Sequence, residues 1–160
     1  MLDEECIGYV IFNVITGEPD DVMINNGVKM LKESDCDFII GIGGGSPLDS
    51  AKAIAAMAVN DGSIADFSGK EITGEILPLA AIPTTAGTGS EATKFTVITD
   101  SKKQIKMLLK GDVLVPKLAI VDSEFTVDAP KSVTAATGLD ALTHAVEAYT
   151  SKNAFSMTDT

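Results

Sequence analysis

The stretch Phe38-Ile39-Ile40-Gly41-Ile42-Gly43-Gly44-Gly45-Ser46-Pro47-Leu48-Asp49-Ser50-Ala51-Lys52 constrains the fold more than any other, because an apolar run breaks into consecutive glycines and restarts as an alanine-rich segment. That order reads as strand, turn and helix. Phe38–Ile42 carries no polar side chain, which suits a strand buried on both faces. Glycines at 43, 44 and 45 permit positive φ angles and leave no Cβ in the path of a ligand approaching the main chain. Ser46 is the expected N-cap, with Pro47 at the first helical position and Asp49 three residues after the cap, a spacing close to the capping box. Free N–H groups and the positive end of the helix dipole then converge on the loop, a setting that stabilises a phosphate. A tight turn needs only one glycine, so the run favours an anion or nucleotide site. Neither standard motif is present: G-x-G-x-x-G fails at Ser46, and no Gly-Lys-Ser/Thr follows.

The rest of the chain alternates in the manner of an α/β fold. Tyr9–Val14 is an apolar, β-branched run that ends at the Thr16-Gly17 turn. After Glu18-Pro19-Asp20, the apolar positions Val22, Val28, Met30 and Leu31 predict a helix ending near Asp35, completing a β-α-β unit with the Phe38 strand. The helix after the glycine loop is expected to run to about Val59, and the polar, glycine-rich segment from Ser63 to Glu75 reads as a loop with a short helical turn. A buried strand at 77–82 feeds a second small-residue loop, Thr84-Thr85-Ala86-Gly87-Thr88-Gly89-Ser90-Glu91. In open α/β sheets ligands sit outside the carboxyl ends of the strands, so two such loops can face one ligand. Lys94–Thr99 and Gln104–Lys110 predict a β-hairpin, and Leu118–Val121 a further buried strand. A helix opens at Pro130, is expected to break at Thr137-Gly138, and resumes over 139–151.

Length and composition narrow the function classes. A chain of 160 residues can bury a sizeable core, and 45% hydrophobic with 22% charged residues is ordinary globular usage. The net charge of −11 argues against nucleic acid or an anionic membrane as partner. No run approaches the roughly 20 apolar residues that span a bilayer, and the start lacks the basic character of a signal peptide, so a cytoplasmic location is expected. Cys6 and Cys36 lack C-x-x-C spacing and are expected to be reduced packing residues.

Asp140 and His144 stand four apart, so on a helix both project from one face and offer an oxygen and a nitrogen to a divalent cation. As a pair they also fit an ordinary surface contact, and a catalytic metal takes at least three protein ligands. Taken together, Gly43-Gly44-Gly45-Ser46-x-x-Asp49-x-Ala51-Lys52, Pro83-Thr84-Thr85-Ala86-Gly87-Thr88-Gly89-Ser90-Glu91, and the run from Ala135 to Tyr149 around Asp140 and His144 resemble the iron-containing (group III) alcohol dehydrogenases. The alcohol, butanol and propanediol branch is nearer than glycerol dehydrogenase or dehydroquinate synthase.

The resemblance implies a Rossmann-like, mostly parallel sheet with a β-hairpin over residues 1–129, and the first helices of an all-α metal domain over 130–160. It implies hydride transfer between an alcohol and an aldehyde or ketone, with NAD or NADP and iron(II), or zinc, as cofactors, and a metal acting as Lewis acid on the substrate oxygen. Gly44, Gly45 and Ser46 would hold the pyrophosphate, and Asp49 would support the loop or approach the nicotinamide. Thr84, Thr85 and Thr88 would line the adenine and ribose side, and Lys106 would reach the ribose. Asp140 and His144 match two metal ligands; in the family the others are histidines on later helices, and a further strand–helix unit precedes the region matched here. The chain is therefore expected to be a fragment, inactive by itself and prone to self-association as a homo-oligomer. A non-catalytic nucleotide- or phosphate-binding module, a glycerol dehydrogenase-like enzyme and a structural fragment that binds nothing remain the alternatives.

Overall fold

A computed structural model describes residues 2–156. Helix α1 (Asp21–Glu33) leads to strand β1 (Ile39–Gly43), helix α2 (Gly45–Val59), strand β2 (Leu79–Pro83), the strands β3 (Phe95–Asp100) and β4 (Ile105–Lys110), strand β5 (Leu118–Ala119) and helix α3 (Lys131–Thr150). The expected α/β class is present: β1, β2 and β5 form a parallel sheet in that order. Ile39 pairs with Leu79 and Gly43 with Pro83, so β1 and β2 end level with each other. The α2 connection between them is the crossover a parallel pair requires. β3 and β4 form the expected antiparallel hairpin, with Phe95 opposite Lys110 and Asp100 opposite Ile105. Its turn is closed by the Asp100 carboxylate, which accepts from the main-chain N–H of Lys102 and of Lys103, each at 3.0 Å.

The core lies between α2 and the elements around it. Ile24 of α1, Ala53, Ile54, Ala56 and Met57 of α2, and Ile98, Met107 and Leu109 of the hairpin are all buried together with Ile64, Ile72 and Leu114. α1 is well specified at its start, where the Asp20 side chain accepts from the Met23 N–H at 2.7 Å. It approaches α2 closely at Gly27, where a Cβ would meet the Ile54 side chain.

Several expectations are corrected. The Tyr9–Val14 run forms no strand; the described residues give it no neighbour to pair with, and Tyr9, Val10, Ile11 and Val14 are exposed while Phe12 packs on the core. β1 is covered by α2 on one face only, leaving Ile40 and Ile42 exposed. β5 is reduced to two exposed residues at the sheet edge. α3 is continuous through Thr137 and Gly138, because a helical glycine costs only about 1 kcal/mol and the Thr137 hydroxyl donates back to the Val133 carbonyl at 2.9 Å. Cys6 is exposed and Cys36 partly buried, so Cys6 is no packing residue. The short turn expected in the 63–75 loop is a 3-10 helix, Ile64–Phe67, with a Ser63–Asp66 capping box.

Candidate functional site

β1 and β2 run parallel and end level, so the glycine loop and the threonine-rich loop leave the sheet on the same edge. The Thr84 N–H donates to the Gly43 carbonyl at 2.9 Å, extending the pairing one step beyond the strands. Gly43 then turns at φ 145°, a conformation that favours glycine, and the helix begins at once. Gly44 is the N-cap, with the Leu48 N–H donating to its carbonyl at 3.2 Å. Ser46 and Pro47 therefore lie inside the helix and the expected capping box does not form. Gly44 supplies no capping side chain, so the first N–H groups of α2 have no side-chain acceptor. Only Gly43 of the three needs its glycine for conformation. Gly44 and Gly45 need theirs for space: a Cβ on Gly44 would lie 3.3 Å from Thr85 Oγ1, and one on Gly45 2.8 Å from Thr88 Cγ2.

Asp49 is held by partners far from it in sequence. Its carboxylate accepts from the Ser90 hydroxyl at 2.6 Å and from the Val97 N–H at 2.8 Å, while its carbonyl accepts from Thr96 Oγ1 at 2.8 Å. It ties the first turns of α2 to the end of the second loop and to β3. Burial pushes its carboxyl above the ordinary value, against the Ser90 and Val97 hydrogen bonds and the charge of Lys52, which hold it down. One turn on, Lys52 is wholly buried, and its Nζ donates to the Thr93 carbonyl at 2.7 Å, to Thr93 Oγ1 at 3.2 Å and to the Phe95 carbonyl at 2.9 Å. Burial pulls its pKa from the ordinary 10.5 to about 8, while Asp49 and Glu91 act in the opposite sense. Together the two side chains bolt α2 to the segment that carries the second loop.

A cleft of about 500 Å³ opens at this edge, lined by Gly45, Ser46, Asp49, Thr88, Val97, Thr99, Lys106 and Asp140 together with Glu18 and Pro19. Of the sequence-predicted residues, Gly45, Ser46, Asp49, Thr88, Lys106 and Asp140 meet there. Gly44, Thr84, Thr85 and His144 are outside its lining, although Thr85 backs Gly44 and Thr84 bridges the strand ends. Glu18 was given no role from the sequence, yet its carboxylate pairs with the Lys106 ammonium at the cleft rim, and the two side chains are mostly exposed. The pairing arises because the Thr99 N–H donates to the Pro19 carbonyl at 2.8 Å, bringing the residues before α1 alongside the hairpin. A smaller apolar depression at the opposite ends of the strands, around Phe38, Pro78 and Leu118, has nothing comparable.

Asp140 and His144 project together from α3, with His144 Nε2 at 3.8 Å from Asp140 Oδ1 and both side chains partly exposed. Among the described residues no group of three potential metal donors is gathered. The pair therefore fits as two members of a donor set that these residues do not complete. For a dinucleotide the fit is better: an uncapped helix N-terminus, glycines where the main chain must be approached, and a lysine at the rim.

These features define an α/β unit with a cleft at the carboxyl edge of a parallel sheet, the edge at which such folds take their ligands. Residues 1–123 match the family model of iron-containing alcohol dehydrogenases. The chain belongs to the iron-containing alcohol dehydrogenase family. It is 44% identical over 157 residues to the NAD-dependent methanol dehydrogenase of Bacillus methanolicus, covering 98% of this chain and 41% of that protein. Among solved structures, a 1,3-propanediol oxidoreductase superposes with a TM-score of 0.94 at 38% identity, over 99% of this chain and 42% of that one. The sulfoacetaldehyde reductase of Bifidobacterium kashiwanohense, determined in complex with NAD+, gives a TM-score of 0.84 at 38% identity, over 88% of this chain and 38% of that one. The chain thus spans about two fifths of the length of these relatives. No helix among the described residues is long and apolar enough to cross a membrane.

Proposed function

We propose that this chain carries the dinucleotide site of a metal-dependent, NAD(P)-linked alcohol dehydrogenase that interconverts a small alcohol and its aldehyde or ketone. The observation that carries the reading is the convergence, in one cleft, of the uncapped start of α2, the Thr88 loop, Lys106 and Asp140. The N–H groups at Gly45 and Ser46 receive the pyrophosphate, where the helix dipole adds about 0.3–1 kcal/mol per favourable charge. Asp49 holds the second loop so that Thr88 closes on Gly45. Lys106 leaves Glu18 to reach a ribose hydroxyl. When bound, the nicotinamide accepts or returns the hydride; the part of this chain is to fix where that ring lies relative to Asp140. Asp140 and His144 contribute two donors to an iron(II) or zinc centre. The exposure of α3 supports a division into a nucleotide unit over 1–129 and the start of a metal-binding unit over 130–160. The exposed apolar residues of β1 and α3 support self-association.

Titration of the chain with NADH, followed by nucleotide fluorescence, tests the assignment. Saturable binding is expected, weakened at least tenfold by Gly45→Ala, whose Cβ would press on Thr88. No binding at millimolar nucleotide would refute it. The shortage of metal donors favours a second reading for this chain alone, binding without turnover. Turnover of an alcohol with NAD and iron(II) by the chain itself would eliminate that reading.

A further inference from the structure

We propose that Gly87 is a positioning residue: its missing side chain is the seat for α3, and through it the second loop sets the place of Asp140 and His144. For the ligand of that loop, the proposal rests on the dinucleotide assignment above.

A Cβ placed on Gly87 would lie 2.7 Å from Thr137 Cβ, 2.8 Å from the Thr137 carbonyl oxygen and 2.9 Å from its Cα. These atoms belong to the helix framework and cannot rotate aside, so a side chain at 87 would have to move the helix. Gly87 is not among the glycines with positive φ, so the position requires glycine for close approach and not for backbone conformation. The contact is steric: the Thr137 hydroxyl is committed within its own helix, to the Val133 carbonyl at 2.9 Å and the Thr134 carbonyl at 3.3 Å. No residue of α3 is buried, so little else anchors the helix on the body.

What the seat controls follows from helical spacing. Asp140 and His144 stand three and seven residues after Thr137, so all three share one face of α3, and a tilt at Thr137 carries both donors with it. Asp140 lies on the cleft. On the other side of the contact, Thr88 packs against Gly45, and its Oγ1 accepts from the Ser90 N–H at 3.2 Å. A continuous path therefore runs from the start of α2 through Thr88, Gly87 and Thr137 to Asp140. A ligand that orders the loop also orders the donors, and the coupling acts equally in reverse.

Hydrogen exchange on the whole chain, with and without saturating NAD, tests this. In the wild type NAD should slow exchange severalfold both at 44–52 and across α3. In Gly87→Ala, α3 should exchange on the order of tenfold faster without nucleotide. α2 protection and the thermal midpoint should stay unchanged, and NAD should protect 44–52 but no longer α3. Equal α3 exchange in the two unliganded proteins, or undiminished protection of α3 by NAD in the variant, would overturn the proposal. If NAD protects neither segment of the wild type, the dinucleotide assignment fails, and the seat is then decided by the unliganded comparison.

Discussion

Replacing Lys52 by methionine sets two terms of similar size against each other, and pH separates them. The ammonium is wholly buried and donates to two main-chain carbonyls and one hydroxyl. Removing the donor leaves those acceptors unpaired, at about 1–3 kcal/mol for each buried group orphaned. Removing the charge also removes its burial cost, and a fall in pKa from 10.5 to about 8 corresponds to roughly 3 kcal/mol. Near pH 7 the terms offset at the low end of that range, and with three acceptors orphaned Lys52→Met should destabilise by roughly 0–6 kcal/mol. Below about pH 8 both native and unfolded chains hold the proton, so the burial cost is fully present. Between there and pH 10.5 the unfolded chain holds more protons, and wild-type stability rises with pH. From about pH 7 to about pH 9.5 the gain due to Lys52 amounts to roughly 2 kcal/mol, and the methionine variant lacks it. Urea unfolding followed by far-UV circular dichroism at both pH values reads the difference. The loss on substitution should be larger at the higher pH. Stability curves for the two proteins that run parallel would refute the reasoning.

Two further substitutions probe the cleft. Glu18→Ala removes the partner that competes for Lys106 at the rim. Because the pair is exposed, stability should change by less than about 1 kcal/mol, while NADH binding at low salt should tighten two- to threefold; weaker binding would show that Glu18 itself contacts the ligand. Asp49→Asn leaves one oxygen for the two donors from Ser90 and Val97. A loss of about 1–2 kcal/mol is expected, read as a lower thermal midpoint, and an unchanged midpoint would show that Asp49 does not hold the loop.

The parts of this fold that are written locally could be read from the sequence. The hairpin is specified by two alternating runs and an Asp-Ser-Lys-Lys turn, and α2 by its alanines after the glycine break. The parallel pairing of β1 with β2 follows from two apolar runs separated by a helix. The misjudged features depend on partners distant in sequence. Tyr9–Val14 has strand composition, but a strand also needs a neighbour. Asp49 has capping-box spacing, yet its carboxylate is claimed by Ser90 and Val97 some forty residues away. Lys52 carried no reading of its own, because nothing local indicates that Thr93 and Phe95 will offer it carbonyls. Glu18 gave no signal at all: its place on the cleft depends on how 19–20 are drawn alongside Thr99. Conversely, Gly45 and Thr88 were legible as small residues at strand ends, since close approach of two loops demands them wherever it occurs.

The contrast between the starts of α1 and α2 has a consequence for design. Asp20 caps α1, whereas α2 opens at Gly44 without a side-chain acceptor. An aspartate at position 44 would supply the missing cap only with a shift of Thr85, whose Oγ1 would lie 3.3 Å from the new Cβ. It would also act as a tethered competitor, already occupying the donors that an incoming phosphate must find. A chain engineered for greater heat resistance at this turn would be expected to lose nucleotide affinity in proportion, because here the same N–H groups serve both purposes.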